Sequence, residues 1–348
     1  MLGYHVFKGA KAKLNCYAVT LLVLLFVSAT AQAVQTVGQK LEREHSVSQT
    51  FSVYITMRDG VRIAADIHLP SNLKKGEKIP ALLYQTIYLR SHRTPKSESP
   101  KIGNQADWNI APKLNHDPTR TIDFQALENG YAIIKTDVRG TGASFGTRSS
   151  PLPPEEIQDS SEIIDWIVAQ DWSNGNVGSF GVSYMGMTAG MAMTVKHPAL
   201  KAVVIGWSGI YDEYKTAMQP YGLVQPGTTC TWSKYLENLW SNNWKATGKS
   251  IMPVDGDEGA ILLEQALEEH TKNELVCDLL SDVTFSDDVI GKDKLSIQSF
   301  SQKDFKQEIE ASGTAILTLA SWYDTGAVDA HFVRQVDFSN DQKIFLTG

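Results

Sequence analysis

Apolar and polar positions recur along the chain in two periods, and their order predicts the fold. Ser52 to Met57 alternates and is β-branched, Arg58-Asp59-Gly60 supplies a turn, and Val61 to Leu69 alternates again before Pro70. Two period-2 runs joined by Asp-Gly predict a β-hairpin. Ile79 to Thr86 is a short apolar run of buried-strand length. Thr121 to Glu128 fits a helix ended by Asn129-Gly130, and Tyr131 to Asp137 a strand. A Gly/Ser/Pro-rich loop follows. Pro153-Pro154 with Glu155 and Glu156 then marks a helix start, the acids favoured by the dipole. Ile157, Ile163, Ile164, Ile167 and Val168 give that helix its apolar stripe. Asn174-Gly175 turns into a strand over Val177 to Val182. A Met- and Ala-rich helix follows and ends at Lys196-His197-Pro198, and Ala202 to Ile205 is another buried strand. Strand and helix in this rhythm predict an α/β fold with a mostly parallel sheet.

The rhythm breaks at Tyr211. From there to about Ile309 the chain has no buried-strand run, many aromatics and a helical patch from Gly259 to His270. It reads as an inserted helical cap. Strand patterns return at Thr314 to Ala320 and Lys343 to Thr347. The expected organisation is a core over residues 45–210, a cap over 211–310 and the second part of the core over 311–348. Residues 91–117, polar and rich in Ser, Pro, His and Asn, are expected to form a long surface loop.

The first 33 residues stand outside this pattern. Lys8, Lys11 and Lys13 form a positive leader, and Cys16 to Val27 is apolar except for Thr20. That run is shorter than the ~20 residues a spanning helix needs. With Ala31-Gln32-Ala33 as a small-x-small site, it predicts a signal peptide cut after Ala33, and so an exported protein, periplasmic or secreted. Membrane contact is then expected only through the signal peptide during export. Cleavage would remove three of the 32 basic residues and none of the 39 acidic ones, making the formal charge of −7 more negative.

Composition narrows the classes further. With 42% hydrophobic and 20% charged residues the chain is globular rather than disordered or fibrous. No basic block is present, which argues against a nucleic-acid partner. After leader removal two cysteines remain, Cys230 and Cys277, a possible disulfide in an oxidising compartment. Sequence alone leaves that pairing open.

Two serines compete as nucleophile. Gly142-Ala143-Ser144-Phe145-Gly146 is a literal G-x-S-x-G, but the residues after it, Thr147 to Pro151, do not start a helix. Gly181-Val182-Ser183-Tyr184-Met185-Gly186 has Met185 where the generic motif has glycine, yet it runs strand, turn, helix. Context decides such motifs, because the elbow holds Oγ at the carboxyl edge of the sheet. Ser183 is therefore the candidate, against the alternative of a serine in an ordinary strand–helix turn. Asp324, just past the strand from Thr314, falls where the acid of the order Ser…Asp…His falls. The alternative is a loop Asp capping the helix that begins near Gly326. His331 is the one histidine after Asp324, and it lies within the predicted helix Gly326 to Val336, where it reads as a helix-surface residue. His68, His92, His116, His197 and His270 show no metal-ligand spacing, and Asp255-Gly256-Asp257-Glu258-Gly259 reads as a solvated turn. No cofactor is implied.

Several segments resemble the cocaine esterase / X-Pro dipeptidyl-peptidase family of α/β-hydrolases, which includes cephalosporin acylases and α-amino acid ester hydrolases. They are Met57-Arg58-Asp59-Gly60-Val61, Gly130-Tyr131-Ala132, Asp137-Val138-Arg139-Gly140-Thr141-Gly142-Ala143-Ser144, the run from Asp165-Trp166-Ile167 through Asn176-Val177-Gly178, Gly181 to Gly186, and Trp322-Tyr323-Asp324. The family writes its elbow G-x-S-Y-x-G, which accommodates Met185. The resemblance implies an α/β-hydrolase fold with Ser183 as nucleophile, Asp324 as acid, and the Tyr184 N–H and Tyr88 hydroxyl as oxyanion donors, with Tyr84 as the fallback for Tyr88. It implies that Asp137 and Arg139 hold the glycine loop. It implies a small-molecule ester or amide, or a short peptide, as substrate. The family places its histidine after the last core strand, with a β-sandwich domain beyond. Lys343 to Thr347 matches that strand and the sequence stops at Gly348, so both are expected to be absent. A hydrolase and a non-catalytic fragment, at most a ligand-binding module, are the two readings this leaves.

Overall fold

The structure is a computed structural model and describes residues 49–94, 123, 125–209, 211–218, 226–281, 283–324, 326–340 and 342–348. The expected leader and most of the polar stretch 91–117 lie outside the described residues, as does the whole of the compact unit Met1–Val47. All described residues belong to the unit that begins at Ser48.

Eight strands form one sheet. They are β1 (Gln49–Thr56), β2 (Arg62–Leu69), β3 (Ile79–Thr86), β4 (Ala132–Asp137), β5 (Ser173–Val182), β6 (Leu200–Gly206), β7 (Ala315–Ala320) and β8 (Lys343–Thr347). Their order across the sheet is β1-β2-β4-β3-β5-β6-β7-β8. The hairpin β1–β2 is antiparallel, with Ile55 opposite Ile63, and β2 runs antiparallel to β4. Every pairing from β4 to β8 is parallel. This is the mostly parallel sheet expected from the strand–helix rhythm. β3 lies at its centre with six of eight residues buried, as a strand covered on both faces must be.

Strand β5 starts four residues before the expected Val177. Asn174-Gly175 is not a turn ahead of the strand but part of it, with Gly175 at φ 80°. The register against β3 slips between Ile79 and Ala81, and against β6 between Val177 and Gly178. An extra residue with a left-handed glycine is how a strand absorbs such a slip.

Helices cover both faces. Helix α1 (Pro154–Val168) buries Ile163, Ile164 and Ile167 with Ile67, Leu83 and Ile134 of the sheet. Helix α2 (Tyr184–Met191) contributes Tyr184, Met187 and Met191 to a second core. That core also holds residues of the helical segment between β6 and β7, the expected cap. They come from α3 (Pro226–Trp240), α4 (Ile261–His270) and α5 (Val276–Ser281), among them Leu236, Leu239, Leu263 and Val276. The cap and the helix after Ser183 thus share one apolar interior. Cys230 on α3 and Cys277 on α5 are joined in a disulfide, and the Cys277 N–H donates to Ser233 Oγ (3.1 Å). Helix α6 (Ala327–Asp337) lies between β7 and β8 in sequence.

Candidate active site

Ser183 sits between β5 and α2 at φ 59°, ψ −124°, and its side chain is exposed. L-residues rarely occupy that region, and such strain concentrates at functional positions. The surrounding glycines make the turn possible. A Cβ on Gly181 would overlap the Met185 backbone, and one on Gly186 would lie 3.0 Å from the Gly206 carbonyl of β6. Met185 is tolerated because the close approach to β6 is made by Gly186, one position later. The Ser183 N–H donates to Gly206 O (2.9 Å), fastening the elbow to the neighbouring strand.

Tyr184 opens α2, where first-turn N–H groups have no intrahelical acceptor. Its N–H is therefore free to face an oxyanion beside Ser183. Its side chain runs the other way, into the interior. The phenol accepts from Arg148 Nη2 (2.6 Å) and lies 2.8 Å from Glu156 Oε1 and 2.7 Å from Pro151 O. Arg148 and Glu156 form a buried ion pair. Glu156 stands in the first turn of α1, as expected, and is also an anchor of the elbow. Burial pushes the Tyr184 phenol well above its ordinary range.

Tyr88 follows β3 and is half-buried. Its hydroxyl accepts from Trp232 Nε1 of α3 (2.8 Å). Burial raises this phenol, while hydrogen bonding from Trp232 and from the Ser183 side chain to its oxygen pulls it down. The loop that carries it is pinned. The Tyr88 N–H donates to Thr86 Oγ1 (2.9 Å), Leu89 has φ 82°, and the Arg90 N–H donates to Asp137 Oδ1 (2.5 Å). The buried Arg90 guanidinium also reaches Asp66 (3.3 Å). Asp137 Oδ2 accepts from the Ala143 N–H (2.9 Å), and Gly142 is glycine because a Cβ there would overlap the carboxylate. Asp137 therefore ties the Tyr88 loop to the glycine loop. Burial pushes its carboxyl up to about 6 against the pull of Arg90. Arg139 pairs instead with Asp159 (2.5 Å) and Asp59 (2.9 Å). Tyr84 lies inside β3, its ring 5.4 Å from that of Phe180.

Ser144 is fully buried. Its Oγ donates to Asp137 O (2.7 Å) and accepts from the Ala64 N–H (2.8 Å). The literal motif is a structural clasp.

Asp324 leaves β7 at the same carboxyl edge as Ser183. The register pairs Val182 with Gly206 and Gly206 with Leu319, so β6 lies between the two strand ends, which at normal strand spacing are about 10 Å apart. Burial raises the Asp324 carboxyl. Among the described residues that carboxylate has no hydrogen-bond partner, and Asp324 O instead accepts from the Val328 N–H (3.2 Å).

His331 differs from the expectation of a helix-surface residue. It is 1% exposed on the inner side of α6, with Nδ1 2.9 Å from Thr318 Oγ1 and Nε2 3.0 Å from Thr347 Oγ1. Burial lowers its pKa. His68, His197 and His270 are engaged with Thr50, with Asp165 and Ala199, and with Ser144 and Trp240. None of these four stands as a base for Ser183, and His116 lies outside the described residues. Among the described residues no three His, Cys, Asp or Glu side chains are grouped to hold a metal ion. The acidic turn is absorbed structurally: Asp255 accepts from the Ser52 N–H (2.8 Å) and Asp257 from the N–H groups of Leu262 and Leu263.

The Trp232 bond and the Arg148–Glu156–Tyr184 cluster escaped sequence reading. The Tyr of the elbow was the one available signal for the second, since a large phenol beside a strained turn needs a polar partner when buried.

Comparison with known proteins identifies the family. The X-Pro dipeptidyl-peptidase (S15) family profile matches residues 59–345. A putative serine esterase of Mycobacterium bovis is 33% identical over 323 residues, covering 85% of this chain and 50% of that protein. Cocaine esterase of a Rhodococcus species is 31% identical over 152 residues, 44% of this chain and 22% of that one. A CocE/NonD family hydrolase from Staphylococcus aureus superposes with a TM-score of 0.56 at 21% identity, over 85% of this chain and 45% of its own, a likeness of fold. The chain spans about half the length of the curated relatives it matches over most of its own length. By sequence and by fold, the chain belongs to the X-Pro dipeptidyl-peptidase (S15) family of α/β-hydrolases.

Proposed function

We propose that this chain is the nucleophile-bearing part of an exported serine hydrolase that cleaves an acyl ester or amide through an acyl-enzyme on Ser183. The observation that carries the reading is the strained, exposed Ser183 with the Tyr88 hydroxyl at its side chain and the free first-turn N–H of Tyr184 next to it. Ser183 Oγ attacks the carbonyl carbon, and the developing oxyanion takes hydrogen bonds from the Tyr184 N–H and the Tyr88 hydroxyl. Collapse expels the alcohol or amine and leaves the acyl group on Ser183. Water then attacks that ester to release the acid. Asp324 holds the carboxylate that orients the base. That base, a histidine other than the four engaged ones, takes the Ser183 proton and passes it to the departing alcohol or amine, then takes a proton from the attacking water and returns it to Ser183. Names of relatives support both ester and X-Pro peptide substrates. The apolar leader and the Cys230–Cys277 disulfide support export.

The test is phosphonylation of the 348-residue chain by a fluorophosphonate probe, with and without imidazole as an external base. A slow adduct at Ser183, accelerated by imidazole and absent after Ser183→Ala, supports the reading. Labelling spread over other serines overturns it. A panel of p-nitrophenyl acyl esters against X-Pro-p-nitroanilides then selects the substrate class.

A second reading, a chain that binds such substrates without turning them over, is favoured by the engagement of both His331 nitrogens. Saturable binding of an ester or X-Pro peptide with no imidazole-dependent adduct would select it.

A further inference from the structure

We infer that Trp232 is a positioning residue of the oxyanion hole: its indole N–H occupies the acceptor side of the Tyr88 hydroxyl and so aims that hydroxyl's single hydrogen at the reacting oxygen. The inference rests on the nucleophile reading of Ser183 and names a part of the site that neither the motif nor the family comparison assigns.

Counting donors and acceptors fixes the direction of that hydrogen. A phenol has one hydrogen to give and can also accept, whereas an indole N–H only donates. Trp232 Nε1 lies 2.8 Å from the Tyr88 oxygen, so Tyr88 accepts there. Its hydrogen must then point away from the indole. The Ser183 hydroxyl also donates to this oxygen at rest and gives up its hydrogen on attack, so the Tyr88 hydrogen is the one left for the oxyanion. Without the indole, the same hydroxyl is free to turn its hydrogen towards another acceptor, an orientation useless for holding an oxyanion. A hydroxyl that already accepts a hydrogen bond is also the better donor.

The indole is itself held. Trp232 lies on α3 two residues from Cys230, whose disulfide crosses to α5, and the next residue, Ser233, accepts the Cys277 N–H. Its ring centroid stands 6.5 Å from that of Tyr184, and Tyr235, one turn on, stands 6.4 Å from Tyr88. One face of α3 therefore touches both residues that supply oxyanion donors. The cap completes the hole rather than merely covering it.

Trp232→Phe keeps the ring and deletes the N–H. Two measurements test the inference. First, imidazole-assisted phosphonylation at Ser183 should slow about five- to tenfold in Trp232→Phe, the order of one net hydrogen bond. It should slow more in Tyr88→Phe, and no further in the double variant, since Trp232 acts only through Tyr88. Second, a fluorotyrosine placed at position 88 and titrated by fluorine NMR should ionise at higher pH in Trp232→Phe, because the deleted bond favours the phenolate. A purely structural role would not move that titration while the melting temperature stays unchanged. An adduct that forms at the unsubstituted rate in Trp232→Phe, or a titration at position 88 that does not move, overturns the inference alone. Absence of any Ser183 adduct in the unsubstituted chain overturns the nucleophile reading and the role of Trp232 with it.

Discussion

Two serines in glycine-flanked motifs lie 39 positions apart in sequence, and the one with the better motif is the buried one. Ser144 fulfils G-x-S-x-G letter by letter, yet its hydroxyl is buried and spent on the backbones of Asp137 and Ala64. Ser183 misses a glycine, yet it is exposed, held in a left-handed conformation and faced by Tyr88. A nucleophile elbow is a backbone event. What matters is a strand ending against a helix start with room for the turn, and Gly181 and Gly186 supply that room. The glycines around Ser144 serve another close approach, that of the chain to the Asp137 carboxylate.

The largest expected contrast exchanges the two serines' fates. Ser183→Ala should abolish site-specific phosphonylation and leave the melting temperature within a degree or two, since its hydroxyl is exposed. Ser144→Ala should leave the labelling site unchanged and destabilise the fold by about 1–3 kcal/mol, because the buried Ala64 N–H loses its acceptor. A labelled Ser144, or a Ser144→Ala protein as stable as the parent in urea, would break the comparison.

Gly181→Ala sharpens it from the backbone side. The added methyl meets the Met185 backbone, so the elbow must open or the strand must shift. Overpacking of this kind costs about 1–3 kcal/mol. Labelling at Ser183 should fall together with the melting temperature. The same change at Gly60, where a Cβ meets nothing within 4 Å, should leave labelling intact and carry only the strain of φ 84°.

Much of this contrast was legible in the sequence, and the exceptions have physical causes. The hairpin, the central strand Ile79–Thr86 and the last strand Lys343–Thr347 were readable because period and turn chemistry agree there. The choice of Ser183 over Ser144 came from the helix after it. The start of β5 was misread because Asn174-Gly175 is a strong turn signal that here sits inside a bulged strand. His331 was misread although Ala327, Ala330, His331 and Arg334 form the buried i, i+3, i+4, i+7 stripe of α6. Two of the four are polar, and burial of a polar residue depends on partners that periodicity does not show. The Trp232–Tyr88 bond spans 144 positions, beyond any local pattern.

Glu213 extends the contrast from partnered to unpartnered buried groups. Ser144 has both hydrogen bonds filled, whereas among the described residues neither carboxylate oxygen of the fully buried Glu213 has a partner. Burial, aided by neighbouring Asp212, pushes its carboxyl up to about 8 from 4.5. The folded state therefore binds this proton more tightly than the unfolded one. The stability this confers is present below pH 4.5 and is lost as pH rises from 4.5 through 8. Glu213→Gln should remove that part of the slope, so that urea midpoints of variant and parent converge at low pH and separate above neutrality, with the variant more stable. Equal midpoints at both ends would show that the carboxylate finds a partner.

The smallest expected effect on reactivity belongs to His331→Gln, and it asks whether the exposed serine draws a base from within the described fold. Both ring nitrogens are held, by Thr318 of β7 and Thr347 of β8, so the imidazole fastens α6 to two strands and is not free to approach Ser183. Imidazole-assisted labelling at Ser183 should be unchanged. The unassisted rate should be unchanged as well, which separates this residue from any group that takes the Ser183 proton. Stability should fall by about 1 kcal/mol as one of the two threonine bonds is lost. Because burial lowers the His331 pKa, the parent's own contribution from this residue is present above about pH 6.5 and fades on acidification. The destabilisation by Gln should therefore be read at neutral pH and should shrink in acid. A drop in unassisted labelling with the fold intact would make His331 the base and move the site from the strand edge to the inner face of α6.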